Sequence, residues 1–274
     1  MNTKPVLILG GTGKTGRRLA ERLTAKNIPV RIGSRAGTPP FDWLDKATWG
    51  RALEGVDAVY ISYYPDIAVP GAAETVEAFA QLAVECGVKR LVLLSGRGET
   101  EAQRAEEMLK ASGADWTILR CSWFSQNFSE GFLVESILEG EVALPVGNVG
   151  EPFVDVDDIA DVAETVLTEP GHIGQLYELT GPRLLSFADA VTEIGRATGR
   201  DIRYRQISHA EFTDAVAAHN LPPEFAWLLD ELFTKVLDGR NETLTDGVQR
   251  ALGRQPKDFS AYATETAATG IWSK

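Results

Sequence analysis

The sequence predicts an α/β protein built on a doubly wound parallel sheet, with a smaller, mostly helical C-terminal part. Three observations carry that prediction. Residues 6–23, VLILGGTGKTGRRLAERL, read as strand, glycine-rich turn and helix in succession. Short apolar runs then alternate with helical segments as far as residue 120, the order that gives parallel strands joined by helical crossovers. Beyond about residue 128 the alternation stops and helical spacing dominates.

The first stretch is the most informative. Val6, Leu7, Ile8 and Leu9 run without polar alternation, as expected of a parallel strand buried on both faces. Gly10, Gly13 and Gly16 follow in a GxxGxxG frame, and Leu19, Ala20 and Leu23 recur on one face of a helix. This order suits a dinucleotide. A tight turn lets the backbone approach a pyrophosphate, and the N–H groups of the helix N-terminus point at it. A glycine triplet alone equally fits a turn that only packs helix on strand; the flanking strand and helix favour the cofactor.

Bulk properties narrow the class. A chain of 274 residues holds one large domain or two modest ones. The net charge of −12 opposes a nucleic-acid partner, which needs a basic face. No segment approaches the roughly 20 apolar residues of a membrane span. The first strand opens at Val6, leaving no room for a signal peptide, which predicts a cytoplasmic protein. Cys86 and Cys121 are the only cysteines and read as reduced thiols. His172, His209 and His219 are scattered, so no metal site is predicted.

Further elements follow in order. Residues 29–33 (PVRIG) form a second strand, and its end carries Ser34 and Arg35 where an NAD site usually has Asp or Glu for the ribose 2′-OH. A hydroxyl and a guanidinium suit a 2′-phosphate, with Lys14 of the glycine loop as a second positive charge, so NADP(H) is preferred over NAD(H). A solvated surface arginine is the alternative. Phe41, Asp42 and Trp43 fit a short third strand whose Asp would meet the adenine amino group or remain a plain surface acid. Residues 48–53 read as a brief helix and 57–62 as a fourth strand, which ends at Tyr63, Tyr64 and Pro65. Ligands of such sheets bind at that carboxyl edge. The two tyrosines either wall the ribose or substrate, or simply cover the edge.

Helix 71–85 leads into strand 89–94, ended by Ser95-Gly96-Arg97-Gly98. Helix 100–111 leads into strand 116–119. Later helices are predicted near 129–139, 157–168, 186–198, 208–219, 223–238, 245–252 and 256–268, interrupted by short strands near 142–144, 177–179 and 202–205. Asp157 or Asp158 is the expected N-cap of its helix, with the acids there structural. Phe225, Trp227, Leu228 and Phe233 either line a pocket or fill a core. The predicted division is 1–128, with 153–180 returning to it, and a helical substrate domain over 129–274.

Taken together, GGTGKTG (10–16), VDAVYIS (56–62), LVLLSGRG (91–98), TILRCSWFSQNF (117–128), FVDVDDIADV (153–162) and LTGPRLLSF (179–187) resemble the NmrA-like group of atypical short-chain dehydrogenases/reductases. The resemblance spans essentially the whole chain. The C-terminal LTDGVQRALGRQPKDFSAYATETAATGIW is similar to the branch with the ergot alkaloid biosynthesis oxidoreductases. It implies a Rossmann domain, NAD(P) at the switch point, and a smaller helical substrate domain. Position by position, it implies a pyrophosphate loop of Gly10, Thr12, Gly13, Lys14, Thr15 and Gly16 and a 2′-phosphate reader of Ser34 and Arg35. Ser62, Tyr63 and Tyr64 fall past the 57–62 strand, and Ser95 and Gly96 fall beside the nicotinamide.

Departures from the group shape the functional expectation. Typical short-chain dehydrogenases donate a proton from the Tyr of a Tyr-x-x-x-Lys pair. Residues 101–111 hold no Tyr, and Lys110 falls near their end. Glu106 stands at an acidic position of quinone-reductase relatives, with surface acidity as the weightier reading. Cys121 replaces the proline common after the arginine. A quinone or iminium is already electrophilic, so positioning matters more than an acid. The expectation is therefore hydride transfer from NADPH to a quinone, iminium or polycyclic aromatic acceptor, with Ser95 and Glu106 as candidate catalytic groups. Trp123, Phe124, Asn127 and Phe128 are candidates for holding a flat, small hydrophobic substrate, in a monomer or homodimer. A non-catalytic NADP(H) sensor, or a tailoring enzyme using the cofactor in a hydroxylation, is the alternative.

Overall fold

The computed structural model describes residues 4–218 and 221–273, so His219 lies outside the described residues. Strands β1 (Val6–Leu9), β2 (Val30–Gly33), β3 (Ala58–Ile61), β4 (Arg90–Gly96), β5 (Asp115–Cys121) and β7 (Gln175–Leu179) form one sheet. Its order is β2-β1-β3-β4-β5-β7 with every pairing parallel. Strand order reverses at β1, which makes the crevice between the carboxyl ends of β1 and β3 the switch point. Strands β6 (Glu141–Leu144) and β8 (Arg203–Gln206) pair with each other in a separate parallel ribbon.

The chain divides into two compact units. The sheet unit comprises residues 1–121, 157–179 and 247–254, and the helical unit residues 122–156, 180–246 and 255–274. The first unit thus ends at Cys121 rather than near 128. It also takes back residues 247–254, a return the sequence pattern does not announce.

In the sheet unit, β1 and β3 are buried on both faces, which is why their sequences are continuously apolar. Helices α1 (Lys14–Ala25), α2 (Trp49–Leu53), α3 (Ala72–Glu85) and α4 (Thr100–Ala111) carry the crossovers. Leu91 and Leu93 of β4 share a core with Val76, Phe79 and Ala80 of α3 and Ala105 and Leu109 of α4. Helix α6 (Val156–Thr168) is tied to α1 by charge. Arg22 meets Asp157 at 3.0 Å and Asp161 at 2.6 Å, and Lys26 meets Glu164 at 2.6 Å. These acids are structural, as expected, but α6 begins at Val156. Asp157 and Asp158 therefore lie in its first turn, where their charge favours the helix dipole, rather than at the N-cap. Helix α10 (Gly247–Leu252) packs on β7 so closely that a Cβ on Gly247 would strike the Glu178 carbonyl oxygen.

The structure departs from two element predictions. Residues 41–43 form no strand of the sheet, and the strand at 57–62 is its third in chain order, Ala58–Ile61. The Asp42 backbone makes an isolated antiparallel bridge with Asp45, and its carboxylate accepts the Leu44 N–H at 3.0 Å. Phe41 and Trp43 alternate as a strand would, yet both turn inward onto Trp49 and Phe79, with Phe41 stacked on Trp49 and the other ring pairs edge-to-face.

The helical unit gathers α5 (Leu133–Glu139), α7 (Phe187–Thr198), α8 (His209–Ala218), α9 (Pro223–Glu231) and α11 (Phe259–Ala268). A 3₁₀ turn over Ser125–Phe128 precedes α5, which starts four residues later than predicted, and a π turn over Leu232–Val236 follows α9. Helix α7 opens with a reciprocal cap in which Ser186 and Asp189 satisfy each other's backbone N–H. Phe128, Phe153, Phe187 and Phe259 form the aromatic centre, and the Trp272 indole donates to the Phe128 carbonyl at 2.9 Å.

Candidate dinucleotide site

The glycine loop joins β1 to α1 at the switch point. Gly10 sits at φ +67°, and a Cβ there would press on Ser62 at 3.1 Å. A Cβ on Gly16 would land inside the Gly10 carbonyl, which allows helix and turn to close on each other. Gly13 is the N-cap of α1, without a side-chain cap and with no acid in the first turn. Amide groups and the positive end of the helix dipole are thus offered to an anion without a competing carboxylate in that turn. The geometry fits a pyrophosphate. Thr12 is exposed at the turn, whereas the Thr15 side chain is buried, leaving its amide as its contribution.

Past β2, Arg35 is exposed and makes no hydrogen bond or ion pair with a described residue. Beside it, the Ser34 carbonyl accepts the amides of Gly37 at 3.0 Å and Phe41 at 2.9 Å, folding the following loop back on the strand end. Arg35 and Ser34 therefore stand on the β2 side of the glycine loop. Lys14 has an acidic neighbour the sequence did not reveal, Asp66. Desolvation pushes the Asp66 carboxyl up, while the Ala68 amide and the Lys14 charge oppose that shift.

Of the other predicted cofactor residues, Asp42 and Trp43 lie outside the strands of the sheet. Trp43 is buried, with the Tyr63 ring against it at 4.8 Å. Ser62 lies against Gly10, and Tyr64 is 60% exposed.

The carboxyl end of β4 holds a different arrangement. Ser95 stands in register with Arg120 of β5, and α4 lowers Glu106 between them. Glu106 is completely buried, which overturns the surface reading of this acid. The Ser95 hydroxyl donates to Glu106 Oε1 at 2.6 Å, Arg120 Nε donates to the same oxygen at 2.9 Å, and Arg120 Nη2 donates to Oε2. That bidentate pairing holds the Arg120 guanidinium above its ordinary pKa. Cys121, at the end of β5, is a buried thiol pushed up by desolvation and by Glu99. Glu99 is itself an acid the sequence reading missed, its carboxylate filling the space a Cβ on Gly96 would need. Gly96 is the only signal of it in the sequence.

Of the four predicted substrate residues, all in the helical unit, Phe128 is fully buried among Phe153, Phe187 and Phe259 and is core rather than substrate wall. Phe124 and Asn127 are half-buried. Trp123 is half-buried, set edge-on to Phe187 and Phe233, and its indole N–H has no hydrogen-bond partner among the described residues. Phe233 and Leu228 are buried, while Trp227 is 38% exposed.

The parallel sheet, the switch point and the glycine cradle define a dinucleotide-binding protein of the Rossmann type. Known proteins agree in sequence and fold. Residues 10–170 match the model of the NAD(P)H-binding family. The chain is 31% identical to agroclavine dehydrogenase of Claviceps fusiformis over 97% of this chain and 98% of that protein. It superposes on an NADPH-dependent quinone oxidoreductase from Escherichia coli, solved with NADPH, with a TM-score of 0.80 at 24% identity over 95% of this chain and 99% of that one. Nmra, a negative transcriptional regulator, matches over 100% of both chains with a TM-score of 0.74 at 15% identity. The chain belongs to the NAD(P)H-binding family, and its fold is similar to that of Nmra. No helix among the described residues is long and apolar enough to cross a membrane.

Proposed function

We propose that this oxidoreductase uses NADPH, in preference to NADH, to reduce a conjugated small molecule that is electrophilic without protein acid catalysis, such as a quinone or an iminium. One observation carries the reading of the substrate. Where typical short-chain dehydrogenases carry the Tyr of a Tyr-x-x-x-Lys pair, α4 carries no Tyr and offers Ser95 the buried carboxylate of Glu106, already engaged by Arg120. Bound NADPH would supply the hydride, while the Ser95 hydroxyl proton and the Arg120 N–H groups facing Glu106 are already donated to its carboxyl oxygens, so the trio presents no counterpart of a tyrosine acid. A simple ketone needs such a proton in the transition state, whereas an iminium needs none and a quinone gives a stabilised phenolate. Arg35, unengaged past β2, supports the 2′-phosphate preference. In the helical unit, Trp123 supports a flat substrate through its ring face and its unpartnered N–H.

The test follows NADPH absorbance with the purified protein and a panel of quinones, iminium compounds and simple ketones. Turnover is expected with the first two classes and not with ketones. NADPH binding without reduction of any acceptor would sink the reductase reading, and ketone reduction at comparable rates would sink the argument from Glu106.

A further inference from the structure

We infer that Asp66 restrains dinucleotide binding: from the loop after β3 its carboxylate draws on the Lys14 ammonium, so that an incoming pyrophosphate must compete for that charge. The inference rests on the pyrophosphate lying in the glycine cradle, and it adds to that reading a residue that weakens the grip.

Placement comes first. Helix α1 keeps acids out of its own first turn, and Lys14 is its first residue. A negative charge reaches that turn from another element. The chain leaves β3 at Ile61 and lies against the glycine loop at once, since a Cβ on Gly10 would meet Ser62 at 3.1 Å. Asp66 follows Ser62 by four residues, as Lys14 follows Gly10 by four. Strands β1 and β3 are parallel, so both loops stand at the carboxyl edge of the sheet, and there the charges of Asp66 and Lys14 act on each other. Both residues are half-buried, so each keeps a face that a ligand can reach.

Asp66 is also held in place. Its Oδ1 accepts the Ala68 N–H at 2.9 Å, closing a turn ahead of α3 that fixes the carboxylate. Burial strips water from that group and favours its neutral form, while the Ala68 amide and the Lys14 charge favour the ionised one. A carboxylate short of water leans harder on its counter-ion, and Lys14 is the cation that acts on it.

A phosphate brings negative charge to the same ammonium. On its arrival the attraction between Asp66 and Lys14 is shared, and a like-charge repulsion between Asp66 and the phosphate is added. Both effects oppose binding. The cradle therefore holds a dinucleotide less tightly than its amides, helix dipole and lysine would by themselves. An oxidoreductase must exchange spent cofactor after each turnover, and such restraint favours release.

The experiment measures equilibrium binding of NADP⁺ and NAD⁺ at low salt, by quenching of tryptophan fluorescence without any acceptor. Asp66→Asn keeps an oxygen for the Ala68 N–H and removes the charge. It is expected to tighten both dinucleotides about two- to fivefold, the range of one half-exposed charge pair. A damaged fold would lose affinity, so a merely structural role for Asp66 does not produce that gain. Asp66→Glu, which keeps the charge, is expected to bind as the parent does. In a Lys14→Met background the gain from Asp66→Asn is expected to fall to less than half, because the contested charge is gone. If Asp66→Asn does not fold, Asp66→Ser, which also offers an oxygen to that amide, takes its place. Unchanged or weaker binding by the neutral variant, an equal gain from Asp66→Glu, or a gain that persists in full without Lys14 overturns the inference. A gain confined to NADP⁺ would place the contest at the 2′-phosphate and overturn it for the pyrophosphate. Failure of the parent to bind either dinucleotide would overturn the cradle reading beneath it, a result distinct from an unchanged affinity.

Discussion

Replacing Glu106 by Ala should cost the fold more than any loss of a surface acid could. The residue is fully buried, and its removal strips Arg120 of both acceptors and Ser95 of one. Breaking a buried ion pair from one side costs about 3–5 kcal/mol, because the surviving charge stays where water cannot reach it. The Arg120 side chain is 20% exposed, so some hydration remains and the lower end, about 3 kcal/mol, is the appropriate figure. For a protein of this size each kcal/mol moves the midpoint by about 2–4 °C, so the apparent Tm should fall by roughly 6–12 °C in a calorimetric or circular-dichroism melt. The same melt on Glu106→Ala combined with Arg120→Met should recover at least half of that loss, since the double variant buries no unpaired charge. A single variant that melts within 2 °C of the parent, or a double variant no better than the single, would refute the claim that charge burial rather than volume is at stake.

Other measurements bear on the site and the framework. Arg35→Glu should weaken NADPH by about tenfold or more while leaving NADH nearly unchanged, since one charge-assisted bond to the 2′-phosphate is lost and a repulsion gained; equal loss of both in a titration would mean that Arg35 does not read the phosphate. Because Arg35 is exposed, the NADPH preference of the parent should also narrow as salt rises from about 0.05 to 0.5 M, and a salt-independent preference would point to a buried reader instead. Gly16→Val should abolish dinucleotide binding in the same titration, because its side chain would enter the Gly10 carbonyl, and retained affinity would argue against the glycine cradle. In the helical unit, hydrogen bonds from Arg183 and Ser260 hold the Asp258 carboxyl well below its ordinary range. A depressed folded-state pKa contributes stability above the unfolded value near 3.9 and loses it as pH falls through the folded value. The Tm gap between the parent and Asp258→Asn should therefore be present at pH 6 and narrow below about pH 4, and a gap that widens on acidification would contradict the ion pair.

What could be read from the sequence was what local spacing decides. The run from Val6 to Leu9, the glycines and the helical stripe of Leu19 and Leu23 fix strand, turn and helix within 18 consecutive residues, and all three form as the spacing predicts. Residues 41–43 misled because Phe41 and Trp43 alternate like a strand, while the partners that draw them inward, Trp49 and Phe79, lie farther along the chain. Glu106 misled for a related reason. On α4 it is one of several glutamates, and only Arg120, on the next strand, makes its burial tolerable. Phe128 shares its segment with Trp123 and Phe124, but its surroundings come from Phe153, Phe187 and Phe259, which no local pattern connects to it. Asp66 and Glu99 escaped notice because a lone acid in a loop carries no signal until the fold places it beside Lys14 or over Gly96.

The last strand of the sheet has a consequence for synthesis. Strand β5 ends at Cys121, but its outer neighbour β7 is made only at residues 175–179, after a passage through the helical unit, and α10 comes later still, at residues 247–252. A ribosome adding 5–20 residues per second exposes β5 as an open parallel edge for several seconds, until that neighbour emerges. An unpaired edge is a template for pairing with another chain. Within that interval the nascent chain is at its most vulnerable to self-association, and a fragment truncated before residue 175 would carry that edge permanently.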